Sequence, residues 1–242
     1  MISNKEISAY FNHGIEIAGG MIPALLTPYF GELISGGISP VITIFGKQLL
    51  DCITRPQSQR EATRSATAVV IAAREIEKRL SNGEKLRDDD FFRERIGRPT
   101  DANIVIDGVL TKSKLQYEER KTIFLGRFFA NISFSTELTS DDACWYLTVI
   151  DHLPYRAFLI LAAFYKLQDG TWSDSNIQAV RLRNKFIFSQ IHELRNLGLL
   201  SENSTFATDI NLSAIGSLLV EYTGSTEELE VFGEDVWTTL TP

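Results

Sequence analysis

Three histidines, two cysteines and one run of aspartates are the residues whose types could support catalysis or metal binding. His13, His152 and His192 are far apart in sequence, and none lies in an H-E-x-x-H or H-x-E motif. Cys144 stands eight positions before His152, about two helical turns, which is beyond hydrogen-bond reach on one helix. The carboxylates of residues 88–90 would point in different directions, which favours a solvated loop over a metal site. These patterns predict a protein that is not an enzyme and has no metal or cofactor.

Binding chemistry is better represented, between residues 178 and 195. This range contains four basic residues and one acidic residue, so its local net charge is +3. Arginine and lysine bind phosphates, and amide side chains also reach base edges. The predicted nucleic-acid-binding set is Arg181, Arg183, Asn184, Lys185, Gln190 and Arg195.

The elements that would position this set are mostly helices. Of the 242 residues 44% are hydrophobic and 23% charged, which is ordinary globular composition. An apolar stripe at helical spacing predicts one long helix over residues 59–80, which Asn82 and Gly83 end. Further helices are expected near residues 100–110, 117–132, 140–150, 154–167, 173–180, 183–197 and 214–222, with a strand hairpin over 199–212.

The expected organisation has three parts. Residues 1–137 form a helical domain, residues 138–223 form a helical and winged-helix-like domain, and residues 224–242 form a tail. The predicted fold class is therefore mainly α, with a small β-hairpin in the C-terminal part.

The segment 14–50 has two interpretations. Residues 17–31 and 33–46 contain no charged side chain, but each run is shorter than the roughly 18 to 20 apolar residues that span a bilayer. Prolines and glycines interrupt both runs. The segment therefore predicts buried helices, and the alternative is an element that engages a membrane on activation.

The tail combines acidic and large apolar residues. It holds five acidic residues and no basic one. Solvated tails lack large apolar groups such as Phe232 and Trp237, so these two residues predict docking onto the protein itself or onto a partner. One possibility is that the tail folds over Arg181 to Lys185 and competes with a nucleic acid.

The C-terminal part resembles a winged helix-turn-helix domain. The resemblance covers residues 153–222 and is carried by the string LRNLGLLSENSTFATDINLSAIGSLLVEY, in which a leucine-rich helix end is followed by glycine, a hairpin and a final helix. It implies duplex DNA binding through the third helix. Because the hairpin turn at residues 201–205 has no basic side chain, a domain used for packing or protein contact stays open.

The whole chain resembles helical bacterial proteins of the Abi-alpha type, through the string EERKTIFLGRFFANI and the capped helix after it. That resemblance implies a role in phage defence and brings no catalytic residues. The N-terminus lacks the pattern of a secretory signal, so a cytoplasmic, bacterial location is expected. The predicted function is a non-enzymatic regulatory protein that binds DNA. The alternative is a membrane-engaging abortive-infection-type effector, or an adaptor subunit of a larger complex.

Overall fold

A computed structural model describes residues 58–167, 174–202 and 210–240. Over these residues the chain is mainly helical, with ten α-helices, one short 3-10 helix and one two-stranded antiparallel sheet. The predicted fold class, mainly α with a small C-terminal hairpin, is confirmed. The segment 14–50, His13 and Cys52 lie outside the described residues.

The described chain divides into two compact units, and the boundary in the sequence lies between His152 and Leu153. The expected boundary, after residue 137, falls 15 positions earlier, because the helix over residues 140–152 packs with the helices that precede it. The expected tail likewise belongs to the second unit, in which it forms two short helices.

In its described residues, 58–152, the first unit has four α-helices and the 3-10 helix Asp90–Phe92. The α-helices are α1 (Gln59–Ser81), α2 (Asp101–Leu115), α3 (Lys121–Ile132) and α4 (Ser140–His152). Helix α1 packs on α3 and α2, and α4 packs on α2 and α3.

Local sequence signals explain where these helices begin. Ser58 and Glu61 form a capping box at the start of α1, with the Ser58 hydroxyl accepting a hydrogen bond from the Glu61 amide. At the start of α2 the Thr100 hydroxyl accepts a hydrogen bond from the Asn103 amide. At α4 the cap is Thr139, whose hydroxyl accepts a hydrogen bond from the Asp142 amide, one residue before the expected cap at Ser140.

Where the structure describes it, the second unit has six α-helices and the two strands. They are α5 (Tyr155–Lys166), α6 (Asp174–Arg183), α7 (Lys185–Asn196), β1 (Leu200–Glu202), β2 (Ile210–Leu212), α8 (Ala214–Thr223), α9 (Ser225–Phe232) and α10 (Glu234–Leu240). Helix α5 lies at the centre and contacts α7, β2, α8, α9 and α10.

The hairpin follows α7 directly. Gly198 ends the helix with φ near 72°, a conformation that favours glycine, and the chain then turns into β1. Leu200 pairs with Leu212 and Glu202 pairs with Ile210. The second unit thus has the order helix, helix, helix, strand, strand, helix before the two tail helices.

No single helix in the described ranges is long and apolar enough to cross a membrane. Helices α4 and α5 would be long and apolar enough only when taken together, and the chain bends sharply between them.

Candidate nucleic-acid interface

Helices α6 and α7 are joined through one residue, Asn184. Its side-chain oxygen accepts hydrogen bonds from the amides of Phe186 (3.1 Å) and Ile187 (3.2 Å), which caps α7. Its own amide donates to the carbonyl oxygen of Val180 at 2.7 Å, which ends α6. Asn184 therefore sets the angle between the helices, and its side-chain oxygen is occupied by the fold.

Helix α7 has one apolar face and one polar face. Ile187, Ile191 and Leu194 are buried and recur at helical spacing. The opposite side of the helix presents four exposed polar residues at spacings of four, three and four: Lys185, Ser189, His192 and Asn196. This polar stripe offers a lysine ammonium group, a hydroxyl, an imidazole and an amide to solvent.

Three basic side chains lie at the junction of the two helices. Arg181, Arg183 and Lys185 are all exposed. The Arg181 guanidinium lies over the ring of Phe188, 5.7 Å from its centroid. We call Arg181, Arg183 and Lys185 the basic junction.

Arg183 also contacts the tail. Its Nη1 donates to the carbonyl oxygen of Thr239, in the last turn of α10, at 3.4 Å. Carbonyl groups at a helix C-terminus carry partial negative charge and attract cations. Thus the tail reaches the basic junction through a backbone carbonyl.

Two residues of the predicted set lie away from the polar stripe. Gln190 is half-buried, and its side-chain oxygen accepts a hydrogen bond from Nε of Arg156 on α5 at 2.8 Å. Arg195 is half-buried on α7. Gln190 therefore holds α7 against α5, while His192 and Asn196, absent from the predicted set, occupy the solvent side. Successive steps of four, three and four residues from Lys185 along the helix lead to Ser189, His192 and Asn196, so helical periodicity would have found them.

Two large apolar side chains are exposed beside the basic junction. Leu182 is 87% exposed and Phe186 is 75% exposed. Both lie among the residues of the basic junction in sequence, so exposed apolar surface and positive charge occur together there.

The tail is held to α5 by buried apolar residues and by its acids. Leu229, Val236 and Leu240 are buried. The Tyr155 hydroxyl donates to the Glu228 carboxylate at 2.8 Å, and Lys166 pairs with Glu230. The hydrogen bond and charge of Lys166 lower the pKa of Glu230. Two of the five tail acids are thus bonded to α5.

The two aromatic residues predicted to dock, Phe232 and Trp237, are half-buried within this unit. Trp237 and Lys166 line a groove of about 530 Å³ between α5 and the tail helices. The remaining lining residues are Leu229, Glu230, Val231, Gly233 and Glu234.

Residues 58–167, 174–202 and 210–240 include several of the groups whose types suggested metal binding or a nucleophile. In the described ranges no group of three or more His, Cys, Asp and Glu side chains is placed to hold a metal ion. Burial and the nearby charge of Asp141 raise the pKa of the Cys144 thiol, which disfavours the nucleophilic thiolate. Asp89 caps the 3-10 helix and pairs with Arg87.

Comparison of the chain with protein-family models, with curated proteins and with solved structures finds no match.

Proposed function

We propose that the second unit is a winged-helix-like module that binds duplex DNA, that α7 is its recognition helix, and that the protein is a non-enzymatic regulator. The order of elements supports this proposal, since three helices, a two-stranded hairpin and a fourth helix follow one another from α5 to α8. In helix-turn-helix proteins the second helix of the motif enters the major groove, and its N-terminal residues contact base edges.

The polar stripe on α7 is the observation that carries the proposal. Lys185, Ser189, His192 and Asn196 run along the whole exposed side of the helix. A lysine, a hydroxyl, an imidazole and an amide are all able to bond with phosphates or with the edges of bases. The buried opposite face holds the helix on the unit, so the stripe is available to a ligand.

The basic junction supplies the sequence-independent attraction. Arg181, Arg183 and Lys185 lie within five residues, at the end of α6 and the start of α7. Cations that neutralise phosphates release condensed counterions, so binding weakens as salt rises. Only three cations are involved, so we expect moderate affinity and marked salt sensitivity.

The tail has a supporting role in this proposal. Its buried leucines and valine pack on the unit, and α10 bonds with Arg183. Removing residues 225–242 would expose the side of α5 that they cover. A single charge reversal is therefore a cleaner test of DNA binding than truncation of the tail.

The test is fluorescence anisotropy of a labelled duplex with the full chain, at low and at physiological salt. We expect Lys185→Glu to weaken binding at least tenfold, because an acid would then face the phosphates. Lys85→Glu is the matched control, since Lys85 is an exposed lysine of the first unit. Equal binding by both variants would refute the proposal.

The membrane-engaging effector depends on the segment 14–50, outside the described residues, and it stays a prediction. The role in phage defence stays a prediction as well. Flotation of the full chain with anionic vesicles, with Leu33→Asp as the control, tests the membrane alternative.

A further inference from the structure

We infer that Phe186 determines sequence preference by contacting the 5-methyl groups of thymine in the major groove. This inference rests on the proposed function, because it assigns a role to a residue of the same DNA-binding helix.

The position of Phe186 is the first argument. It is the second residue of α7, and 75% of its surface is exposed. The other phenylalanine of the helix, Phe188, packs against His192 with ring centroids 4.6 Å apart. Phe188 therefore packs within the protein, whereas Phe186 stays exposed. Phe186 lies at the N-terminal end of α7, and this end of a recognition helix contacts the bases of the major groove.

The charges around Phe186 indicate what it contacts. Lys185 precedes it directly, and Arg181 and Arg183 lie just before the cap of α7. Three basic residues within five positions of an exposed apolar side chain match a ligand whose negative charges flank an apolar group. Duplex DNA has this arrangement, because phosphates border a major groove that contains thymine methyl groups.

The chemistry of the groove identifies the base. Thymine alone among the four bases presents a methyl group in the major groove, and apolar side chains, phenylalanine included, are the groups that contact it. Phe186 offers no hydrogen bond to other base edges, so its contact would favour A·T pairs over G·C pairs.

The experiment compares two duplexes of the same alternating A·T sequence, one containing thymine and the other containing uracil. Uracil lacks the 5-methyl group and keeps all the hydrogen-bonding groups. For the full chain we expect about fourfold weaker binding to the uracil duplex for one contacted methyl group, the effect of losing one buried methylene-sized group.

Two variants separate the contact from other effects of the methyl group on the duplex. Phe186→Ala should bind both duplexes equally, and Leu182→Ala, which removes the neighbouring exposed apolar side chain, should keep the wild-type preference. A duplex of alternating G·C pairs with 5-methylcytosine should bind the wild-type chain more tightly than its unmethylated form.

The experiment distinguishes failure of the inference about Phe186 from failure of the proposed function. Salt-sensitive binding with equal affinity for the thymine and uracil duplexes would overturn the role of Phe186 and leave the proposed function standing. No binding to any duplex would overturn both the proposed function and the role of Phe186.

Discussion

The ammonium group of Lys121 donates a hydrogen bond of 2.8 Å to the carbonyl oxygen of Asp151. Lys121 begins α3 and is only 1% exposed, while Asp151 lies in the last turn of α4. The Asp151 carboxylate accepts hydrogen bonds from Lys112 and Gln116 of the α2 region, each at 2.7 Å. A buried cation therefore satisfies the end of α4 and joins it to α3 within the first unit.

This arrangement predicts a pH dependence of stability. Burial lowers the pKa of Lys121 from 10.5 to about 8, although Glu118 and Asp151 act in the opposite direction. Between these two values the unfolded chain binds more protons at this site, so the free energy of unfolding should rise with pH. The contribution of Lys121 should amount to about 3 kcal/mol across the interval.

Urea unfolding followed by circular dichroism, near neutral pH and near pH 10, measures this effect. Lys121→Met keeps an unbranched side chain one atom shorter and removes the titration, so the variant should lose the rise relative to the wild-type chain. Parallel pH profiles for the two proteins would show that Lys121 does not titrate in this way.

Arg87 is the second buried cation that makes a testable prediction. Its Nη1 donates to the carbonyl oxygens of Ile132 and Leu138 at 3.3 and 3.1 Å, and its Nε donates to Asp89 at 2.8 Å. The guanidinium also lies over the Phe91 ring, 4.4 Å from its centroid. Lysine has no planar fork, so Arg87→Lys should lower the free energy of unfolding by about 2–3 kcal/mol.

Arg93→Lys is the control for this substitution. Arg93 pairs with Asp90 on the surface of the same segment, and exposed pairs contribute less than about 1 kcal/mol. A similar loss in both variants, measured by urea unfolding, would mean that the buried hydrogen bonds of Arg87 contribute little.

Gly126 lies where α3 packs closely against α1. A Cβ atom at this position would lie 2.5 Å from the carbonyl oxygen of Ala68, a backbone atom that cannot turn aside. Gly126→Ala should therefore force the helices apart and lower the thermal midpoint, with a cost of about 1–3 kcal/mol or more. Gly108→Ala is milder, because its Cβ would meet the side chain of Leu147 at 2.8 Å. An unchanged midpoint in Gly126→Ala would contradict the close packing of these helices.

The tail makes a prediction about stability rather than about competition. Leu229 is buried where α9 packs on α5. Leu229→Ala should lower the free energy of unfolding by about 2–4 kcal/mol, whereas Val231→Ala, at a half-buried position, should cost less. Equal and small effects in urea unfolding would indicate that the tail does not stabilise the unit.

Much of the helical architecture could be predicted from local signals. The stripe on α1, the cap at Thr100 and the proline before α5 each depend on residues close in sequence, so the expected and observed helices agree. The domain boundary was predicted too early because only packing between distant residues assigns α4 to the first unit.

The sequence indicated some residues of the candidate site and not others, because contacts between distant residues decide which side chains stay exposed. Charge counting found Arg181, Arg183 and Lys185, which the structure leaves exposed. It also selected Asn184 and Gln190 by residue type, whereas the first caps α7 and the second bonds with Arg156 on α5. The cap at Asn184 involves residues two and three positions away, whereas Gln190 bonds with a residue 34 positions away, and such a long-range partner leaves no periodic signal in the sequence.

The slope of the logarithm of the DNA affinity against the logarithm of the salt concentration tests the central claim most directly. Three cations at the basic junction predict a slope of about −2 to −3 for the full chain, and Lys185→Gln should reduce its magnitude by about one. Lys85→Gln, in the first unit, should leave the slope unchanged. A slope near zero, or equal slopes for the wild-type chain and Lys185→Gln, would contradict DNA binding through α7.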